Sequence, residues 1–166
     1  MSNSYAAIVN QAIELLDDLS ISAYQKKLPP HFPSSIGAHI RHVIDHFSAL
    51  INGCTNSHVD YNVRQRYTKV EQSPDLAITR LNDIKLWLEN IPANELAKPL
   101  AVTSEIDVSC EHSTTCNSTL ERELVFVSSH AIHHYALIKI MCAMQNKSIP
   151  EYFGYAPATI THIKSA

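Results

Sequence analysis

Glycine is scarce in this chain, 3 residues of 166, and tryptophan occurs once. Charge is sparse as well. Charged side chains make up 17% of the sequence against 45% hydrophobic ones, which excludes a disordered or fibrous chain and leaves ample material for a core. The 13 Lys and Arg do not outnumber the 16 Asp and Glu, and the formal net charge of −3 lacks the basic excess of a nucleic-acid binder. No apolar run approaches the roughly 20 residues that span a bilayer, so no membrane segment is expected. The opening Met1-Ser2-Asn3-Ser4-Tyr5 has no positively charged lead into a signal-type stretch, and a cytoplasmic setting is the expectation. Cysteine offers no disulfide framework: Cys54, Cys110, Cys116 and Cys142 are scattered and read as free thiols. The length suits one domain over residues 1–166.

What the chain does have is helical periodicity in four segments. From about Ser4 to Ser20, Tyr5, Ile8, Val9, Ala12, Ile13, Leu16 and Leu19 recur at three- and four-residue steps. Pro29, Pro30 and Pro33 stop any continuation. A second helix opens at Ser34 or Ser35 as N-cap, carries Ile36, Ile40, Val43, Phe47 and Leu50, and is expected to end at Gly53. A polar connection through Asp60–Arg66 leads to the third, which has Ser73 as cap, Pro74 at the first helical position and Asp75 at the positive end of the dipole. Between Ala97 and Asn117 the apolar residues alternate, as in a strand or small hairpin. Ser118-Thr119-Leu120-Glu121 then reads as a capping box opening the longest helix, about Leu120 to Met144. The tail from Ile149 to Ile163 is irregular and is expected to pack across one end. The expected fold is all-α: a four-helix bundle with a long crossover, with room for a short β-hairpin, before the last helix.

Histidine is the abundant chemical group. Six of the 10 lie in two stretches: His39, His42 and His46 on the second helix, and His130, His133 and His134 on the fourth. Residues four apart stand on one helix face, so His130 and His134 can aim ring nitrogens at one ion, and a third imidazole from a neighbouring helix completes a three-nitrogen site. Such a site keeps positions open for water or substrate. At 100° per residue His39 and His46 flank the apolar stripe of the second helix while His42 lies further round, which taken alone favours His46 as the inward ligand. No Glu-x-x-His pair supports a di-iron centre, and no nucleophile elbow supports a Ser-His-Asp hydrolase. Cys110, His112 and Cys116 match no common zinc spacing.

Ser35-Ile36-Gly37-Ala38-His39-Ile40-Arg41-His42-Val43, followed much later by His130-Ala131-Ile132-His133-His134, resembles the DinB superfamily. Its members are four-helix bundles related to bacillithiol- and mycothiol-dependent S-transferases. Asp60-Tyr61-Asn62-Val63-Arg64 and Phe153-Gly154-Tyr155-Ala156-Pro157 look typical of an uncharacterised subgroup. Carried over by position, the resemblance implies His42, His130 and His134 as metal ligands, choosing His42 where periodicity favours His46. It implies a divalent ion, with zinc or nickel suiting three imidazoles, together with a low-molecular-weight thiol, a small-molecule substrate and a homodimer. Apolar residues on two sides of the fourth helix are compatible with that dimer. His46 or Asp45 then serves as proton acceptor, and Tyr61, Arg64 and Tyr155 line the pocket, Arg64 placed to pair with a carboxylate. Many members carry Arg-Gly-Gln after the histidine run; here Tyr135-Ala136-Leu137 stands instead. The implied activity is a metal-dependent thiol S-transferase or hydrolase. The alternative is a non-catalytic metal-stabilised dimeric bundle or binding module, in which the histidines staple two helices.

Overall fold

The computed structural model describes residues 2–63 and 68–165. Helix α1 spans Ser2–Asp17. It stops short of the expected Ser20, because that serine instead caps a separate short helix, α2 (Ile21–Gln25), by accepting from the Ala23 amide. Ser35 caps α3 (Ile36–Asn56) in the same manner, at 3.1 Å from the Ala38 nitrogen. Helix α3 runs past the predicted stop at Gly53 and ends where Ser57 turns left-handed at φ 54°. Gly53 has a different task. A Cβ there would lie 2.7 Å from the His58 carbonyl oxygen and 2.6 Å from Val59 Cγ2, so only glycine lets the following chain fold back against the helix.

That returning chain is strand β1 (His58–Asp60), which the sequence reading took as part of a polar connection. Helix α4 (Pro74–Glu89) follows, with Ser73 as cap and Pro74 in the first turn as expected. Strands β2 (Pro99–Glu105) and β3 (Ser113–Thr119) form the expected hairpin, with Val102 opposite Cys116. β1 joins β2 in parallel, Val59 opposite Val102, and α4 lies in the crossover such a pair requires. The protein is therefore mostly helical, as expected, with a small three-stranded sheet in which β1 adds to the expected hairpin.

Helix α5 (Leu120–Met144) begins at a cap one residue away from the one expected. Thr119 accepts from the Arg122 amide, while the Ser118 hydroxyl turns to Glu123. The tail forms α6 (Pro157–Ser165), whose residues stay largely exposed, and Phe153 is the part of the tail that is fully buried, stacked on Tyr135 at 5.0 Å. α1 packs on α4 and α5, and α3 packs on α4 and α5. Ile36, Ile40, Phe47, Leu50, Leu81, Leu88, Leu124 and Ile138 are among the side chains these faces bury completely. The two histidine-bearing helices are thereby neighbours. No helix among the described residues is long and apolar enough to cross a membrane.

Candidate metal centre

His39, His42 and His46 follow one another at steps of three and four on α3, so their side chains share a stripe beside the buried Ile36–Ile40–Val43–Phe47 row. His130 and His134 do the same on α5 beside Val127, Ala131 and Ile138. Packing α3 on α5 brings the two stripes face to face. His42 Nε2 and His130 Nε2 stand 3.0 Å apart. The ring centroids of His46 and His130 are 4.1 Å apart, and His134 lies 4.7 Å from both His42 and His130. One nitrogen from each of His42, His46 and His130 falls within 4.8 Å of the others, a set able to hold a metal ion.

The separation tests the fit. Two nitrogens bound at about 2.0–2.1 Å to one ion, at angles between octahedral and tetrahedral, stand about 2.9–3.4 Å apart. The His42–His130 contact across the helix pair already has that span. All the donors are imidazoles, which suits zinc, nickel or another late first-row ion. Burial and the neighbouring imidazoles of His42, His130, His39 and His133 push the pKa of His134 down to about 3, and burial, with His133 and Arg41, also lowers that of His39. These rings are neutral at physiological pH, the form that binds metal.

His46 is almost fully buried, so periodicity placed it correctly on the inner side, while His42 and His134 are half-buried. Tyr61 forms one wall, stacked on His46 at 5.2 Å with an interplanar angle of 21°. Its hydroxyl donates to Glu123 at 2.8 Å, and burial followed by that carboxylate raises the phenol pKa. Glu123 is 1% exposed and also accepts from Ser118 at 2.6 Å and Arg122 at 3.0 Å. Sequence reasoning passed over this carboxylate. Its spacing of seven residues before His130, two helical turns on the same face, was the available signal. Phe126, 6.0 Å from the His130 ring, closes the wall between them.

Other expected site residues lie elsewhere. Asp45 pairs with Arg41 at 2.7 Å, and Arg41 in turn reaches Glu71. Both Asp45 and Arg41 line a separate cavity of about 910 Å³ between α3 and α4, which none of the six clustered histidines touches. Tyr155 lies under the Lys139 ammonium, 3.6 Å from its ring centre, and makes no ring contact with the cluster. Arg64 falls outside the described residues. Cys110, His112 and Cys116 do not converge into a metal-ligating group among the described residues.

Two solved structures share this architecture. The DinB-like protein YjoA of Bacillus subtilis superposes over 92% of this chain and 96% of its own, with a TM-score of 0.63 and 18% identity. A DinB-like protein of Bacillus cereus ATCC 10987 covers 89% of this chain and 92% of its own, with a TM-score of 0.64 and 11% identity. The chain thus has a DinB-like fold. In sequence it is 38% identical over 106 residues to a Rhizopus delemar protein named FK506-binding protein 5; the match takes in 64% of this chain and 28% of that relative. No family model matches the chain.

Proposed function

We propose that the protein binds a divalent metal ion, zinc or nickel, through His42, His130 and His134, and uses it on a small-molecule substrate as a thiol S-transferase or hydrolase. The observation that carries this reading is the 3.0 Å approach of His42 Nε2 to His130 Nε2 between two helices, the span of two ligands on one ion. His134, 4.7 Å from each of those rings, supplies the third nitrogen, one helical turn beyond His130. When bound, the ion supplies Lewis acidity that lowers the pKa of a water or thiol. His46, against both His42 and His130, is the proton acceptor beside it. Tyr61 and Phe126 exclude water from the inner wall and hold His46 in place.

Elemental analysis of wild type, His42→Ala, His46→Ala and His134→Ala tests the ligand set. Loss of metal in the first and third variants and retention in His46→Ala is the expected result. Loss in His46→Ala with retention in His134→Ala exchanges the two roles and would match the gathering of His42, His46 and His130 nitrogens within 4.8 Å. Equal metal in all variants removes the site.

A second reading has the ion as a staple between α3 and α5 in a four-helix bundle without catalysis, and the same interhelix contact supports it. Thiol-dependent turnover of an electrophile panel distinguishes the two. A cytoplasmic homodimer fits either reading: Val125, Ile140 and Met144 leave apolar surface exposed on α5 at 55%, 51% and 45%. Sedimentation at micromolar concentration checks the dimer.

A further inference from the structure

The cluster contains a second nitrogen-to-nitrogen contact, made with different atoms. His39 Nδ1 lies 2.9 Å from His134 Nδ1, and on the far side of the same ring His39 Nε2 lies 3.0 Å from the Ser34 hydroxyl. Phe32 stands edge-on to the His39 ring at 6.4 Å. We propose that His39 is the positioning residue for His134, accepting the Nδ1–H of that ring so that its Nε2 is presented to the metal. The proposal rests on the reading of His134 as a ligand.

Two neutral imidazoles with nitrogens 2.9 Å apart share one proton, so one ring donates and the other accepts. Coordination through Nε2 leaves the proton of His134 on Nδ1, which makes His134 the donor. His39 then accepts at Nδ1 and carries its own proton on Nε2, from which it donates to Ser34 Oγ. A single arrangement of protons satisfies the whole chain from the capping segment of α3 to the ligand on α5.

Ligating histidines ordinarily hand their other N–H to a carboxylate, a backbone carbonyl or water. An imidazole in that place orients the ligand without adding negative charge. The ion's full positive charge is kept for an anionic nucleophile such as a thiolate, the class of partner the proposed activity requires.

The test is zinc affinity, measured by competition with a chromophoric chelator, in wild type and in variants at five positions. His39→Ala is expected to weaken zinc binding about 10- to 100-fold, the usual cost of removing an outer hydrogen-bond partner. His39→Asn places its Oδ1 near the position of the lost Nδ1 and is expected to restore affinity close to wild type. Ser34→Ala should lie between wild type and His39→Ala, and exposed His133→Ala should match wild type. His130→Ala and His134→Ala should lose tight binding. Wild-type affinity in His39→Ala overturns the proposal, as does equal weakening in His39→Asn, which would mark His39 as mere packing. Retention of zinc by His134→Ala alongside its loss from His130→Ala overturns the proposal while leaving a metal site standing. Absence of zinc binding by the wild type removes both.

Discussion

Changing Tyr61 to Phe deletes one oxygen atom and keeps the ring that lies against His46. The oxygen donates to Glu123, a carboxylate that is 1% exposed and has three donors among the described residues. One of them, Arg122, has a side chain 65% exposed, so water screens its charge and its share in holding the carboxylate is small. The better-sheltered donors are therefore two hydroxyls, buried Tyr61 at 2.8 Å and part-buried Ser118 at 2.6 Å. A hydrogen bond to a charged group contributes about 1.5–3 kcal/mol, and removing one of two leaves the carboxylate under-solvated, so Tyr61→Phe should cost about 2 kcal/mol. For a chain of this size that lowers Tm by about 4–8 °C. Urea unfolding of Tyr61→Phe alone and in a Glu123→Leu background isolates the bond, because the tyrosine substitution should cost almost nothing once its acceptor is gone. Zinc stoichiometry should not change, since the ring wall is intact. A loss below about 0.5 kcal/mol, or the same loss with and without Glu123, would refute the view that this buried pair ties the loop after β1 to α5.

Gly53→Ala sets two effects of opposite sign against each other. Alanine favours a helix interior by about 1 kcal/mol, but its Cβ would press on the His58 carbonyl and Val59 Cα at 2.7 and 2.8 Å, where backbone has to move. Overpacking of that kind costs about 1–3 kcal/mol, so net destabilisation by chemical denaturation is expected, and a stabilised variant would mean β1 does not dock there. The metal-free protein should lose stability in acid. The unfolded chain protonates His134 near pH 6.5, whereas the native ring resists until about pH 3, so unfolding takes up a proton throughout that window and stability falls as pH falls. Allowing for the half of the ring that water reaches, this amounts to about 2 kcal/mol, read as a lower Tm at pH 4 than at pH 7 that His134→Ala reduces, the remainder coming from groups such as His39 that burial also holds neutral. Cys142, buried with its thiol pushed up to about 11, is ionised in about one molecule in a thousand at pH 8. Iodoacetamide should label exposed Cys110 and Cys116 in the native protein and reach Cys142 only on unfolding, as peptide mass mapping would reveal.

The helix starts were legible because each is written in a few adjacent residues. Ser35 and Ser73 cap where their short oxygens can reach the third amide onward, and Pro74 sits where no donor is needed. Helix ends were less so. Gly53 looks like a terminator, yet it serves close approach of a strand, a fact that depends on where residues 58 and 59 go and so is not local. β1 escaped for the same reason. It has three residues, one of them buried, and its partner lies 43 positions away at Val102. Nothing in so short a segment carries a period, and the pairing exists because the hairpin of β2 and β3 is anchored on the core by Leu100 and Val102.

At the site, residue type and spacing identify the histidines but not the atoms that meet. Helical steps of three and four put five rings on facing stripes, and that much follows from the sequence. Which nitrogen of each ring faces which neighbour depends on rotations too fine for a helical wheel. The two contacts that result are not equivalent. His42 and His130 approach through their Nε2 atoms, so an ion binding there would replace the contact with two bonds from the same nitrogens. His39 and His134 approach through Nδ1, so their contact survives when Nε2 of His134 becomes a ligand. The cluster therefore combines one contact that metal binding would consume with another that it would order. This is why the outer pair, and not the inner one, is where a substitution can weaken zinc binding without deleting a ligand.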